Sequence, residues 1–200
     1  MGSKERMQRC KDKVYNGILN AAMDILKTEG CESLSVRKIA EKIEYSVPVI
    51  YSYFLNKEAV LIELSRRGFA TLVNCVEKAL IGLTDPEARM ESMLTAHIRF
   101  AQKESELYQL MYTVGIHVTD VEETFPILKD ISNLFRKELN GLRKDISVTE
   151  SSFRSNYLTF LSIAHGLATL NLYFRNLDPV ANCTVLKRAV RGIISSIDFE

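Results

Sequence analysis

The sequence predicts an all-α fold of about nine helices, with a three-helix module at the N-terminus and a larger helical bundle after it. Three observations predict it. Apolar residues recur at three- and four-residue steps through nearly all of the 200 residues, and no stretch sustains the two-residue alternation of a half-buried strand. Helix-start and helix-stop residues punctuate these runs at the spacing of short connections. The composition, 46% apolar and 26% charged, is that of a packed chain and excludes a disordered one.

The first helix is expected from about Glu5 to Thr28, with Val14, Ile18, Ala21, Ala22, Ile25 and Leu26 on its apolar face and Gly30 just past its end. Two short helices follow, Val36 to Lys42 and Val47 to Tyr53, with Ser35 and Ser46 as N-caps. Pro48 fits only the first turn of a helix, where its missing N–H has no partner to lose, and so places the start of the third helix near Ser46. Asn56 caps a long helix to Ile81. Asp85-Pro86 opens the next, to Lys103, and a shorter one covers Ser105 to Val114. Another begins near Thr124-Phe125-Pro126 and is expected to stop at Asn140-Gly141. The last two run from Thr149 to Arg175 and from Pro179 to Ile197.

Several function classes are excluded or disfavoured. No apolar run has the length of a membrane span, and the charged start, Met1 to Asn16, has no apolar signal segment, so the expected place is the cytoplasm. Cys10, Cys31, Cys75 and Cys183 form no C-x-x-C pair and the histidines stand at no zinc spacing; the cysteines read as reduced packing residues, with no metal and no cofactor expected. No nucleophile elbow, H-E-x-x-H, P-loop or G-x-G-x-x-G is present, which argues against an enzyme. The net charge of +1 is uneven: residues 1–70 hold 12 Lys and Arg against 9 Asp and Glu, and residues 71–200 hold 14 against 16. A basic end is either an electrostatic footprint for a polyanion or a solvated tail.

The segment from Ser35 to Lys57 is the informative one. Two short helices joined by Ile43-Glu44-Tyr45 have the size of a helix-turn-helix, whose second helix enters the major groove of double-stranded DNA with its first residues toward base edges. Ser46, Val47 and Val49 would stand there, the valines suited to thymine methyl groups. Tyr51, Tyr53 and Lys57 carry hydroxyl and ammonium groups able to meet phosphates.

These residues resemble the DNA-binding domain of tetracycline-repressor-like (TetR) regulators. Ser35, Ile39-Ala40, Ser46, Tyr51, Tyr53-Phe54 and Lys57-Glu58-Ala59 match its pattern, as do Ile18 to Ala22 and the closing Thr28-Glu29-Gly30. The likeness covers about residues 14–62. The usual turn glycine is Glu44 here, which would strain a residue of positive φ by about a kcal/mol. The next position, usually Val or Ile, is Tyr45, and a common Thr is Val49. The resemblance implies a DNA-binding domain over residues 1–56 and an effector-binding and dimerisation domain over residues 57–200. It implies phosphate anchors at Ser35, Tyr51, Tyr53 and Lys57, and Arg37, Ser46 and Val47 near bases.

Further along, Arg99 to Met111 and Ala164-His165-Gly166 to Leu170 are similar to a subset of TetR C-terminal domains with a Trp-…-His-Gly signature; Leu161 holds the place of the Trp. The helix from Thr149 has apolar residues on two sides, Phe153, Tyr157, Phe160, Ala164, Leu167 and Phe174 on one, Leu158, Leu161, Ala168 and Leu172 on the other. Such a helix needs cover on both. The first of these sides, with Leu186, Val190, Ile193 and Ile197 of the final helix, is expected to form a homodimer interface; Ala189 and Ile194 add to its apolar surface. Met93, His97, Phe100, Tyr108, Met111, Tyr112, Phe125 and His165 suit an apolar cavity with polar handles for a small-molecule effector. His165 also reads as a hydrogen-bonded structural histidine. The resulting expectation is a ligand-responsive, homodimeric DNA-binding regulator, most readily a repressor on a palindromic operator. The alternative is a helical interaction module without sequence-specific DNA binding.

Overall fold

The structure, a computed structural model, describes residues 2–113, 124–142, 149–174 and 178–197. Among the described residues there are nine helices and no strands: α1 (Ser3–Glu29), α2 (Val36–Lys42), α3 (Val47–Tyr51), α4 (Lys57–Ala79), α5 (Pro86–Lys103), α6 (Ser105–Thr113), α7 (Leu128–Leu142), α8 (Glu150–Tyr173) and α9 (Pro179–Ile197). They fall into two compact units. One takes in Met1–Gly68 with Glu106–Val118, the other Phe69–Ser105 with Thr119–Glu200.

In the first unit α1 packs on α2, and α2 on α3. Ile18, Leu19, Ala22, Ile25 and Leu26 of α1 are buried with Leu34, Ile39, Ala40 and Ile50, so the apolar stripe read from the sequence is the core. Gly30 ends α1 at φ 83°, its N–H on the Leu26 carbonyl at 3.1 Å, a conformation that glycine takes without a Cβ penalty. Side-chain caps start the helices where the sequence places them. Ser35 Oγ accepts from Lys38 N–H at 3.2 Å, and Asn56 Oδ1 from Ala59 N–H at 2.8 Å. A closer approach occurs between α4 and α6: a Cβ on Gly68 would stand 2.5 Å from Met111 Sδ.

In the second unit α5 packs against α7, α8 and α9, and α8 packs on both α7 and α9. Asp85 caps α5, accepting from Ala88 N–H at 2.9 Å, and Thr149 caps α8, accepting from Ser152 N–H at 3.2 Å. One buried ion pair ties three elements together. Arg89 meets Glu138 of α7 through two bonds of 2.7 and 2.8 Å. Its remaining donors cap the end of α4 at the Leu80 and Leu83 carbonyls, 3.0 and 2.8 Å away. The hydrogen bond to Glu138 holds the guanidinium still more firmly protonated. A second polar cluster links α8 to α9: buried Asn156 donates from Nδ2 to the Ser152 carbonyl at 3.0 Å, and its Oδ1 accepts from Ser196 Oγ at 2.8 Å.

Several expectations are corrected. Helix α7 starts at Leu128, not at Thr124 to Pro126, because three-residue turns come first, Leu128 N–H to Phe125 O and Lys129 N–H to Pro126 O, each 3.0 Å. It runs through Asn140-Gly141 to Leu142. Gly141 there serves close packing, since a Cβ would meet the Pro86 ring at 3.3 Å. The cysteines are free but are not packing residues: Cys10, Cys75 and Cys183 are exposed and Cys31 is half-buried.

The largest correction concerns the side of α8 and α9 expected to pair two copies. Phe153, Phe160, Ala164, Leu167, Leu186, Val190 and Ile193 are buried within the single chain, and Tyr157 is half-buried. They are covered by their own unit: Phe135 of α7 lies 4.8 Å from Phe160, 5.5 Å from Tyr157 and 6.1 Å from Phe153, ring centre to ring centre. Burial pushes the Tyr157 hydroxyl up to about 12. The side chain of Ile197 lies outside the described residues.

The buried polar groups can be tested by unfolding. Arg89→Ala leaves the Glu138 carboxylate buried without a partner and should cost about 3–5 kcal/mol in urea unfolding. The double change Arg89→Met with Glu138→Leu should recover most of that loss. His97 is buried, and desolvation, reinforced by His165, holds its imidazole down at about 4 against an ordinary 6.5. The unfolded chain therefore binds a proton between those values that the folded chain refuses. Stability should rise with pH through that window and be lost below it, by roughly 2–4 kcal/mol between pH 7 and pH 4. Unfolding midpoints across that range should show the slope, and His97→Phe should flatten it.

Candidate nucleic-acid interface

The turn between α2 and α3 is built by backbone hydrogen bonds. Glu44 N–H donates to the Glu41 carbonyl at 3.2 Å and Tyr45 N–H reaches back to the Ala40 carbonyl at 3.0 Å. This is the Schellman pairing, which needs a left-handed residue at its centre. Glu44 takes that conformation, φ 59°, the one non-glycine residue with positive φ among those described. Replacing the usual glycine thus leaves the turn intact and adds strain. The Glu44 side chain is exposed, as is the neighbouring Tyr45 ring.

Helix α3 begins on Val47-Pro48. Ser46 occupies the N-cap position in extended conformation, but its hydroxyl caps nothing. The physical reason is Pro48: it removes the second-position N–H, and the third, Val49 N–H, bonds the Ser46 carbonyl at 2.9 Å. The Ser46 side chain is exposed. Val49 is half-buried, and Ile50 anchors the helix in the core. Val47, beside Ser46, is half-buried. Helix α3 ends at Tyr51, two residues before the expected Tyr53, in bonds from Tyr53 N–H and Phe54 N–H to the Ile50 carbonyl, both 3.0 Å.

The remaining residues expected at the interface divide by their partners. Tyr51 is exposed and Tyr53 half-exposed. Ser35 keeps its hydroxyl hydrogen for an acceptor, since its oxygen is the cap. Arg37 is exposed and pairs with Glu41 at 2.9 Å along α2. Lys57 donates to the Cys31 carbonyl at 3.2 Å and so joins the start of α4 to the loop before α2. Ser46, Val47, Tyr51 and Tyr53 therefore lie within eight residues on and beside α3, with Lys57 close behind.

Sequence reasoning missed the residue that fixes α1 against this surface. Tyr15 stacks on Phe54 with ring centres 5.1 Å apart, and Arg67 lies over its ring at 5.7 Å. Burial, with a hydrogen bond to Glu63, raises its hydroxyl above the ordinary range. Arg67 also reaches Asn16 at 2.7 Å. The only hint in the sequence is a tyrosine interrupting the charged start of α1.

The expected effector residues are divided between the units. Tyr108, Met111 and Tyr112 belong to the first, where Tyr108 and Met111 are buried and the Tyr108 and Tyr112 rings stand 4.9 Å apart. Met93, His97, Phe100, Phe125 and His165 belong to the second; the first four are buried and His165 is half-buried. Phe125 packs on Phe69, 5.1 Å between centres. A cleft of about 370 Å³ in the second unit is lined by other residues, among them Arg99, Gln102, Asn171 and Asn182. There Asn171 and Asn182 exchange hydrogen bonds of 3.2 and 2.8 Å.

Three helices with this turn, and an exposed N-terminal edge on the third, define a helix-turn-helix module of the DNA-binding kind. Comparison places it further. Residues 18–64 match the family model described as bacterial regulatory proteins, tetR family. The HTH-type transcriptional activator FasR of Mycolicibacterium smegmatis is 25% identical over 111 residues, 56% of this chain and 51% of that protein. The class A tetracycline repressor protein from transposon 1721 of Escherichia coli is 38% identical over 55 residues, 28% of this chain and 26% of that protein. The chain thus spans about half the length of the first and about a quarter of the second. The crystal structure of PfmR, a TetR family transcriptional regulator from Thermus thermophilus, shares the fold with a TM-score of 0.60 and 24% identity, over 89% of this chain and 97% of that one. Residues 18–64 are thus similar to the N-terminal domain of tetR-family proteins, the described residues fold into helices without strands, and the proteins the chain resembles are transcription regulators.

The strain at the turn is testable. Glu44→Gly should stabilise the protein by about 0.5 kcal/mol, because the left-handed penalty slightly outweighs the extra freedom of an unfolded glycine. For a chain of this size that is a rise of roughly 1–2 °C in Tm by calorimetry.

Proposed function

We propose that the protein is a ligand-responsive transcriptional regulator that binds a palindromic operator as a homodimer. In this reading residues 1–56 read DNA and residues 57–200 pair the subunits and receive a small apolar or amphipathic effector in the cytoplasm. The observation that carries the reading is the α3 edge: the Ser46 hydroxyl left uncapped, Val47 beside it, and Tyr51 and Tyr53 at the other end of a five-residue helix. Ser46, Val47 and Arg37 would lie near bases. Ser35, Tyr51, Tyr53 and Lys57 would hold phosphates. We assign the direction as repression by occupying the operator. The named relatives include both an activator and a repressor.

The pairing surface is the other face of α8. From Ser155 to Tyr173 this helix holds no Lys, Arg, Asp or Glu. Leu158, Thr159, Gly166, Thr169 and Leu170 are exposed along it. An uncharged surface of that length is poorly suited to water, and a two-fold partner covers it with the same surface of a second copy. The absence of a side chain at Gly166 would let the helices approach closely. A two-fold dimer would set its recognition helices about 34–36 Å apart, one turn of DNA. Helix α8 also carries His165-Gly166, which fits the His-Gly subset.

The effector would act on Met93, Phe100 and Phe125 of the second unit, with His97 and His165 as polar handles. Entry among buried side chains disturbs their packing. Binding would therefore favour one arrangement of the helices over another, the differential affinity that release from DNA requires.

Selection from a random duplex pool by purified, effector-free protein should recover a palindrome. Ser46→Ala with Tyr51→Ala removes two exposed groups and should weaken binding to it about 100-fold at unchanged Tm, two lost hydrogen bonds to DNA at about 1.5 kcal/mol each. Equal binding by the variant would leave the helical interaction module as the better reading. For the dimer, a Cβ on Gly166 meets nothing within 4 Å in the single chain. Gly166→Glu should therefore keep the fold by circular dichroism yet halve the mass in sedimentation equilibrium.

A further inference from the structure

Helix α1 begins well before the core it serves. Its first buried side chain is Ile18, and every side chain from Lys4 to Lys13 is exposed. At 1.5 Å per residue the exposed stretch is about 15 Å of helix outside the core. An unpacked helix of that length is marginal in water, so its apolar content does not explain it. Its charge does. Lys4, Arg6, Arg9, Lys11 and Lys13 stand against Glu5 and Asp12.

These cations are not all alike. Lys4, Gln8, Lys11 and Tyr15 are spaced by four, three and four residues, which puts them on one face of α1. Tyr15 is the side chain pinned by Phe54 and Glu63. A cleft of about 320 Å³ is lined by Gln8, Lys11, Asp12, Tyr15 and Tyr53, so the face runs directly up to Tyr53, an expected phosphate anchor. Elsewhere in the unit the cations have partners within the fold: Arg37 with Glu41, Lys38 with Glu29, Lys42 with Asp24, Arg66 with Glu63. Lys4 and Lys11 have no ion pair or hydrogen bond among the described residues, and Gln8 Nε2 is bonded to Asp12 Oδ1 at 2.8 Å, which draws that carboxylate toward the amide. Two uncommitted ammonium groups thus lie seven residues, about 10 Å, apart on a face that ends at Tyr53.

We propose that this face of α1 is a second DNA-contacting surface, with Lys4 and Lys11 holding the sugar–phosphate backbone next to the phosphate at Tyr53. The inference rests on the DNA-binding reading of the first unit. It adds affinity without adding sequence information, because phosphates position a protein and bases specify it. Each neutralised phosphate releases counterions, so the contacts should be visible in the salt dependence.

The test compares full-length parent protein with Lys4→Gln/Lys11→Gln and, as a control, Arg6→Gln/Lys13→Gln. The control pair has the same seven-residue spacing and removes the same charge, but lies on the other side of α1. Binding is measured from low to moderate salt on the selected operator and on a scrambled duplex. The Lys4/Lys11 variant should lower the slope of log Kobs against log salt by about 3–4 for a dimer losing four phosphate contacts. It should lose affinity by the same factor on both duplexes, while the control stays near the parent. An equal loss in both variants would mean diffuse charge and overturn the proposal. So would an unchanged slope in the Lys4/Lys11 variant, and in that case intact operator binding by the parent would leave the DNA-binding reading standing. A parent that binds no duplex would sink both.

Discussion

Everything the first unit offers to a partner depends on one left-handed residue. The pairing of Tyr45 N–H with the Ala40 carbonyl, and of Glu44 N–H with Glu41, closes α2 and sets the direction in which α3 leaves. Glycine would take that conformation freely; Glu44 takes it at φ 59° and at a cost of about a kcal/mol. The bonds and the burial of Ile50 hold it there. The turn in turn decides what stands at the start of α3. With Pro48 occupying the second position and Val49 bonded to the Ser46 carbonyl, the Ser46 hydroxyl caps nothing and stands exposed at the start of α3.

The second unit follows a different logic, in which one buried charge pair replaces many small contacts. Arg89 meets the end of α4 and the middle of α7 while belonging to α5, so three helices share one guanidinium. Its donors find acceptors on both neighbours, which is the condition under which a buried ion pair is tolerated. Around it α5 is buried on much of its surface, and α7, α8 and α9 pack on it. Helix α8 is left with one covered side and one free side. The free side lacks charge over most of its length.

Much of this was legible in the sequence because helix ends are written in single residues. Ser35, Asn56, Asp85 and Thr149 cap the helices they were expected to cap, and Gly30 and Pro48 sit where their backbone chemistry requires. The helix-turn-helix was legible for the same reason, since its spacing is local. Misreadings arose where a local signal had a non-local use. Gly141 looked like a stop and is a packing site for Pro86. Ser46 looked like a cap, and the proline two residues on removed one of the donors a cap would serve. The cysteines looked buried by type, yet three of the four face outward from their helices.

The sequence by itself determined the class of fold, the order and approximate bounds of the helices, and the helix-turn-helix, because helical periodicity, caps and a three-residue turn are properties of neighbours along the chain. Only the tertiary structure decided which side of each helix is core. Helix α8 has apolar residues all round, so periodicity could not choose between its faces; its own unit covers the face of Phe153, Phe160 and Leu167 and leaves Leu158 and Gly166 outside. The partners of the charged residues were likewise settled by packing, since a guanidinium finds Glu138 or a lysine goes without a carboxylate according to what lies beside it in space, which spacing along one helix does not specify.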